Sequence, residues 1–345
     1  MSQQPPRIRT RRPAPTARSK MTTGGKIGLT LLAILVGTAV AVAAVTGWFV
    51  TRVSTSYEAN TETITEAFPE EETRPVERED NVQNILLLGS DTRGAISQDA
   101  LDGPQDSRSD TMMVMHLPAD REGIYFTSIM RDSWVDIPGF GEAKINAAMA
   151  YGGLPLTIQV VEGLIGTRID EVVVIDFEGF KDLTNALGGV TVTNTVAFET
   201  DGHNFPAGDI KLNGEEALTF VRARYPFADG DYQRVRNQQA YIKAVVKQMI
   251  SSETLTNPTR LIAMVDAISP YLAVTDGVTT EYIVQTAASL RNVRTSDLYF
   301  MTAPTSGVGT SADGQSIIML DPDGMAQLRE AFETDTLSEY YAANH

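Results

Sequence analysis

Residues 169–193 read IDEVVVIDFEGFKDLTNALGGVTVT. The first nine, IDEVVVIDF, form a short apolar run and read as a buried strand. EGFKDLTNALGG follows as a helix that stops at Gly188-Gly189, where a left-handed turn needs glycine. GVTVT then reads as another strand. Strand, helix and strand in 25 residues set the pattern for the rest of the chain. Upstream, NILLLG, TMMVMHL and GIYFTSIM are further strands. KINAAMAYGG and LPLTIQVVEGLIG read as helices, with Pro155 at a first-turn position of the second. Downstream, NGEEALTFVRAR, DYQRVRNQQAYIKAVVKQMI, TEYIVQTAASLRN and PDGMAQLREAF read as helices, and DLYFMTAP and QSIIML as strands. Such alternation predicts an α/β layered fold with helices on both faces of the sheet.

The charge distribution divides the 345 residues. Residues 1–26 carry seven basic side chains and no acidic one, while the whole chain has a formal charge of -16. Residues 27–50, IGLTLLAILVGTAVAVAAVTGWFV, contain no charge. A helix of that length crosses ~30 Å of hydrocarbon at ~1.5 Å per residue. The basic tail is expected on the cytoplasmic side and the acidic body outside, which predicts a single-pass cell-membrane protein. Ala41-Val42-Ala43 resembles a signal-peptidase site, but the long run and long charged tail favour a retained anchor. The tail lacks aromatics and any DNA-binding motif, so no nucleic-acid partner is expected. Residues 51–81 contain EAFPEEETRPVEREDN, acidic and proline-bearing, and are expected to form a mostly disordered stalk. A folded domain is expected over 82–335 and a short tail over 336–345.

Several chemistries lack their residues. There is no cysteine, so thiolate catalysis and cysteine metal sites are excluded. His116, His203 and His345 are scattered, which disfavours a histidine relay. No G-x-x-x-x-G-K-[ST] loop or G-x-S-x-G turn occurs, and GFGEAK lacks the third glycine of a dinucleotide fingerprint.

Four segments remain. LLLGSDTRG places Asp91 and Arg93 just after a strand. SRSDTMMVM places Arg108 and Asp110 just before one. SIMRDSW places Arg131 and Asp132 after another. VRARYPFADGDYQRVRNQQAY gathers Arg222, Arg224, Arg234 and Arg236. Ligands of open α/β sheets collect outside the carboxyl ends of strands. An antiparallel neighbour would bring Arg108 and Asp110 to the same rim as Asp91. Guanidinium forks match phosphate oxygens. Paired carboxylates bind Mg²⁺, which commonly arrives with substrate phosphates. Arginines with two aspartates therefore suit a metal-diphosphate site better than a carboxylate or sulfate site. Arg234 and Gln238 share a helix face at i and i+4, whereas Arg236 points elsewhere. Asp132 and Asp231 are expected to support neighbouring arginines. A single surface arginine is ordinarily just solvated, and Lys144 can pack its stem on a helix, so the joint pattern carries the signal.

Read together and in order, GSDTR, RSDTMM, SIMRDSWVDIPGFGEAKINAA, FEGFKDLTNALGGV, LNGEEALTFVRAR and GDYQRVRNQQ resemble the LytR–CpsA–Psr family of envelope proteins, over roughly residues 82–335. The resemblance implies a three-layer α/β/α sandwich with a mixed central sheet, preceded by one transmembrane helix. It implies a deep apolar pocket for a polyprenyl chain with the diphosphate at its mouth. It also implies transfer of a glycopolymer from a polyprenyl-diphosphate carrier to peptidoglycan, assisted by Mg²⁺ or Mn²⁺. Asp91 and Asp110 would be the metal ligands, acting in catalysis with Arg108 and Arg131. Arg108, Arg131, Arg222, Arg224, Arg234 and Gln238 would bind the diphosphate, with Lys144 a weaker match. The chain departs from the family at Met130, where proline is usual, at Tyr225, where histidine is common, and at Asn237, where arginine is frequent. Met130 is expected to loosen the turn that aims Arg131. A region often appended after this domain is expected to be absent. A diphosphate hydrolase, and a non-catalytic binder of lipid-linked glycans or transcription attenuator, stand as alternative functions.

Overall fold

The run EVVVID forms β7 (Glu171–Asp176) in a computed structural model that describes residues 48, 50–78, 80–90, 109–227, 229–249, 251 and 257–345. Asp176 caps the next helix, α3 (Phe177–Ala186), by accepting a bond of 2.7 Å from the Gly179 amide. Gly188 and Gly189, at φ 77° and 87°, end it as expected. The following strand, β8 (Val190–Asn194), leaves the main sheet. It pairs antiparallel with β11 (Gly208–Leu212) in a separate ribbon. The strand–helix–strand reading holds locally, but it is not a crossover within one sheet.

The main sheet has seven strands in the order β1-β12-β7-β2-β3-β4-β13. These are β1 (Glu62–Ile64), β12 (Leu272–Thr275), β7, β2 (Gln83–Ser90), β3 (Ser109–Leu117), β4 (Ile124–Ile129) and β13 (Leu298–Thr302). The pairs β1–β12, β7–β2 and β4–β13 are parallel, and the others antiparallel, so the sheet is mixed. Its central strands read as continuous apolar runs because both faces are covered. Leu86, Leu88, Val114 and Val172 share one core with α2 (Ala147–Ile165) and α8 (Pro322–Glu333). Ile85, Met113 and Phe126 face a second core that includes Ile242 and Val246 of α5 (Asp231–Met249) and Tyr282 of α7 (Thr280–Ser289). Helix α2 bends at Gly152 and Gly153, which leave helical geometry, so Pro155 does sit in the first turn of its second half. Among the described residues, only α2 is long and apolar enough to cross a membrane, and it is mostly buried inside the body. The basic tail and the expected anchor at 27–50 lie outside the described residues, apart from Trp48 and Val50.

A second sheet, ordered β14-β15-β5-β6, was not read from the sequence. It comprises β14 (Thr305–Thr310), β15 (Ser316–Leu320), β5 (Ser133–Ile137) and β6 (Gly141–Lys144).

Two expectations need correction. Residues 51–81 are not a disordered stalk. Residues 52–60 form a helix, α1, β1 joins the main sheet, and Ile64 and Ala67 are 1% and 2% exposed. Arg74 forms a buried ion pair with Glu162 at 2.7 Å and stacks over Phe68. Acidic composition hid these few apolar anchors. The end of the chain is not a loose tail either. Leu337–Asn344 form a helix, α9, whose Leu337 is buried in the first core and whose Tyr340 and Tyr341 pack against it.

His116 is structural. Its ring is buried between Asn84 (2.8 Å) and Asp335 (2.9 Å). Asp335 also accepts from the Ala119 amide. Burial pushes the Asp335 carboxyl up, but the His116 and Ala119 bonds outweigh it and hold the group below the ordinary aspartate range. A lowered folded value means stability is present at neutral pH and lost as pH falls below about 4. Asp335→Asn is expected to lower Tm at pH 7, with the gap to wild type closing as pH drops through that range. An equal gap at pH 7 and pH 3 in calorimetry would contradict the assignment.

Candidate functional site

Antiparallel pairing brings the expected rim together. Ser90 at the carboxyl end of β2 is in register with Ser109 at the start of β3 and with Asp176 at the end of β7. Ile129, at the end of β4, and Thr302, at the end of β13, lie on the same side of the sheet. Asp91 and Arg108 lie outside the described residues, as does the side chain of Asp110, although its backbone is in β3.

The chain beyond β4 makes a closed turn. Met130 is 2% exposed and packs with Val235 and Ile318. Its carbonyl accepts the Ser133 amide at 2.9 Å. The Arg131 carbonyl accepts the Asn146 amide, and the Asp132 carbonyl accepts the Ile318 amide. Both sides of Arg131-Asp132 are therefore clamped, and Met130 does not loosen the turn.

The partner segment is just as defined. Helix α4 (Gly214–Arg222) starts in a capping box between Asn213 and Glu216. It hands over to an extended Ala223 and then Arg224. Phe227 packs edge-on against Phe198 and anchors the loop. Helix α5 then opens with Asp231. Gln239, on α5, donates to Ser128, the Met301 carbonyl and Thr302, which ties the helix to the ends of β4 and β13. Nothing in the sequence spacing singled out Gln239.

Two buried carboxylates form the floor of a cationic cluster. Asp132 faces Lys144 at 3.3 Å, Arg224 at 3.8 Å and Arg131 at 3.9 Å. Asp231 faces Arg234 at 2.7 Å and Arg224 at 3.2 Å. The carboxylate side chains are 7% and 6% exposed, whereas Arg131, Lys144 and Arg224 keep 22%, 22% and 33% exposure. Those three cations thus stay partly open to solvent over a buried anionic base, while Arg234 is itself only 7% exposed. Burial pushes both carboxyls up. At Asp132 the hydrogen bond from Asp231, with Arg131 and Lys144, outweighs burial and holds the group down. Asp231 stays above the usual range because it is buried and lies beside the Asp132 carboxyl. Four cations against two carboxyls leave a positive surplus of at least two, in a chain of formal charge -16. That surplus matches a doubly charged anion.

The remaining expected residues stand around this cluster. Gln238 is buried one turn along α5 from Arg234. Arg222 lies over the Phe177 ring at 4.5 Å, just past the end of β7, outside the ion-pair network. Arg236 pairs with Asp229 and Gln233 and is also separate. A polar cavity of about 280 Å³ lies at the opposite rim, where β2 and β7 begin, away from these groups.

Fold and cluster define an α/β protein with a preformed cationic cluster at its strand ends. The LytR_cpsA_psr family model matches residues 48–334, and the chain belongs to that family. The cell wall biosynthesis protein LcpA of Corynebacterium glutamicum is 31% identical over 281 residues, covering 70% of this chain and 54% of that protein. The polyisoprenyl-teichoic acid–peptidoglycan teichoic acid transferase TagU of Bacillus cereus is 38% identical over 174 residues, covering 50% of this chain and 54% of its own. The chain thus spans about half the length of these curated relatives. The crystal structure of B. subtilis TagV superposes with a TM-score of 0.62 at 23% identity, over 75% of this chain and 98% of that one, which shows the shared fold.

Proposed function

We propose that this protein transfers a glycopolymer from a polyprenyl-diphosphate carrier to peptidoglycan, leaving a phosphodiester link, from the outer face of the cell membrane. The observation that carries the reading is the clamped cluster of Arg131, Lys144, Arg224 and Arg234 on a buried carboxylate floor. The relatives' names, which mention cell wall biosynthesis and teichoic acid transfer to peptidoglycan, support it. An acceptor hydroxyl attacks the phosphorus bearing the glycan. The bond to the polyprenyl phosphate breaks, and that group leaves with the electron pair. An aspartate of the site takes the hydroxyl proton. Arginines held in place beforehand neutralise the charge on the equatorial and leaving oxygens, which is the main protein contribution to phosphoryl transfer. The acceptor-side cost is low because the cluster is already ordered by its own carboxylates.

The metal fits this arrangement. Asp91 and Asp110 directly follow Ser90 and Ser109, which are register partners, so two hard carboxylates are tethered to adjacent strand ends. They would hold Mg²⁺ or Mn²⁺, which supplies Lewis-acid neutralisation of the diphosphate. Arg108, which directly precedes Ser109 in sequence, would be a further diphosphate ligand. The apolar pocket and the membrane anchor at 27–50 are part of the same proposal, since the carrier's polyprenyl chain enters from the bilayer.

The test is product analysis. The purified chain is incubated with a lipid-linked glycan and peptidoglycan, with Mg²⁺ or with chelator. Metal-dependent glycan joined to peptidoglycan through phosphate is expected. Free glycan phosphate alone would establish the hydrolase, and binding without turnover the non-catalytic reading.

A further inference from the structure

The cationic cluster continues onto a face of the second sheet where Trp134 is half-buried and Met319, Asp136 and Glu142 are exposed. Along β5, Ser133, Val135 and Ile137 point into the protein, with Val135 and Ile137 in the first core, so Trp134 and Asp136 point the other way. Register fixes what stands beside them. Trp134 is directly opposite Lys144 of β6 and beside Met319 of β15, and Asp136 is opposite Glu142. Lys144, which reaches Asp132 at 3.3 Å, therefore shares a face with an apolar strip of Trp134 and Met319. Met319 is 41% exposed and its side chain lies over Gly309, where any Cβ would collide with it. Gly307, opposite Met319, adds no side chain. The result is a shallow floor with an indole in it. Asp136 and Glu142 are both exposed and directly face each other across the ladder. Like charges so placed cost stability and gain nothing in the fold.

We propose that this face seats the uncharged amino-sugar backbone of the acceptor glycan, an inference that rests on the transferase reading above. A pyranose ring has one apolar face, which lies flat on an indole, and a rim of hydroxyls and amides, which donate to carboxylates. Trp134 and Met319 supply the first surface, and Asp136 and Glu142 the second. The same two carboxylates repel a phosphate-bearing polymer, which selects the acceptor strand over an anionic donor. Position completes the case, because Trp134 is two residues along the strand from Asp132 and paired with Lys144. A sugar stacked there places its hydroxyls beside the phosphate cluster.

The chain has two tryptophans, so in a Trp48→Phe background Trp134 is the sole indole. The full chain in detergent micelles is titrated with an N-acetylglucosamine tetramer. A saturable change in indole emission is expected. Calorimetry is expected to show binding weakened at least tenfold by Trp134→Ala or Met319→Glu, and kept within about threefold by Trp134→Phe. No emission change, or unaltered affinity in properly folded Met319→Glu, would overturn the inference. A response to a glycerol-phosphate polymer instead of the neutral tetramer would also overturn it. Geranylgeranyl diphosphate serves as the separate arm. Normal diphosphate binding without a glycan response sinks only this surface, whereas no diphosphate binding sinks the transferase reading beneath it.

Discussion

Arg224→Ala is expected to lower the rate of glycan transfer about 10²–10³-fold, or roughly 3–4 kcal/mol of transition-state stabilisation, by analogy with loss of a preorganised oxyanion donor. Among the described residues, Arg224 is the cation paired with both carboxylates, at 3.8 Å from Asp132 and 3.2 Å from Asp231. A third of its side chain is exposed, so it is also open to an incoming phosphate. Lysine at this position keeps the charge but not the planar fork, and Arg224→Lys is expected to recover only part of the rate. Steady-state transfer measurements decide the matter. Near-normal turnover by Arg224→Ala would remove this residue from the reaction.

The second large effect concerns stability. Glu162→Ala is expected to cost about 3–5 kcal/mol, because it strands a charge inside the protein. Glu162 is 1% exposed and takes two donors of Arg74 as well as the Ile169 amide. Arg74 is itself only 10% exposed, and its other bond goes to the Ile169 carbonyl. Deleting the carboxylate leaves a guanidinium and an amide without their acceptor. A fall in Tm of roughly 10 °C follows for a domain of this size. Replacing both partners, Arg74→Met with Glu162→Leu, removes the buried charges together and is expected to restore most of the loss. A single variant as stable as wild type would show that the segment around Arg74 is not fastened to α2.

The contrast between these two residues shows what the sequence discloses. Central strands such as NILLLG and TMMVMHL are legible because burial on both faces forces an unbroken apolar run. Helix ends at Asn213 and Gly188-Gly189 are legible because caps and left-handed turns admit few residue types. Arg74 is hidden because its partner is 88 positions away and its neighbours are acidic. The second sheet is hidden because β5 and β6 are only five and four residues long, and although QSIIML reads as a strand, its partner β5 is far away in sequence. The site divides along the same line. Arg131, Arg224 and Arg234 stand out as phosphate-ligand candidates by type and spacing, and the structure brings them together with Lys144. Their common floor is not recognisable, since Asp132 and Asp231 lie 99 positions apart in sequence, and their shifted acidities arise only once the fold buries them side by side. Arg222, equal to Arg224 on paper, lies against Phe177 because α4 ends between the two.

The central claim is that this cationic cluster grips a diphosphate headgroup. Titration calorimetry of geranylgeranyl diphosphate into the wild-type chain and into Arg131→Ala and Arg224→Ala, with Mg²⁺ present, measures that directly. Saturable one-to-one binding by the wild type, weakened about tenfold or more in each variant, is the predicted result. Wild-type binding that survives unchanged in both variants, or no binding at all, would contradict it.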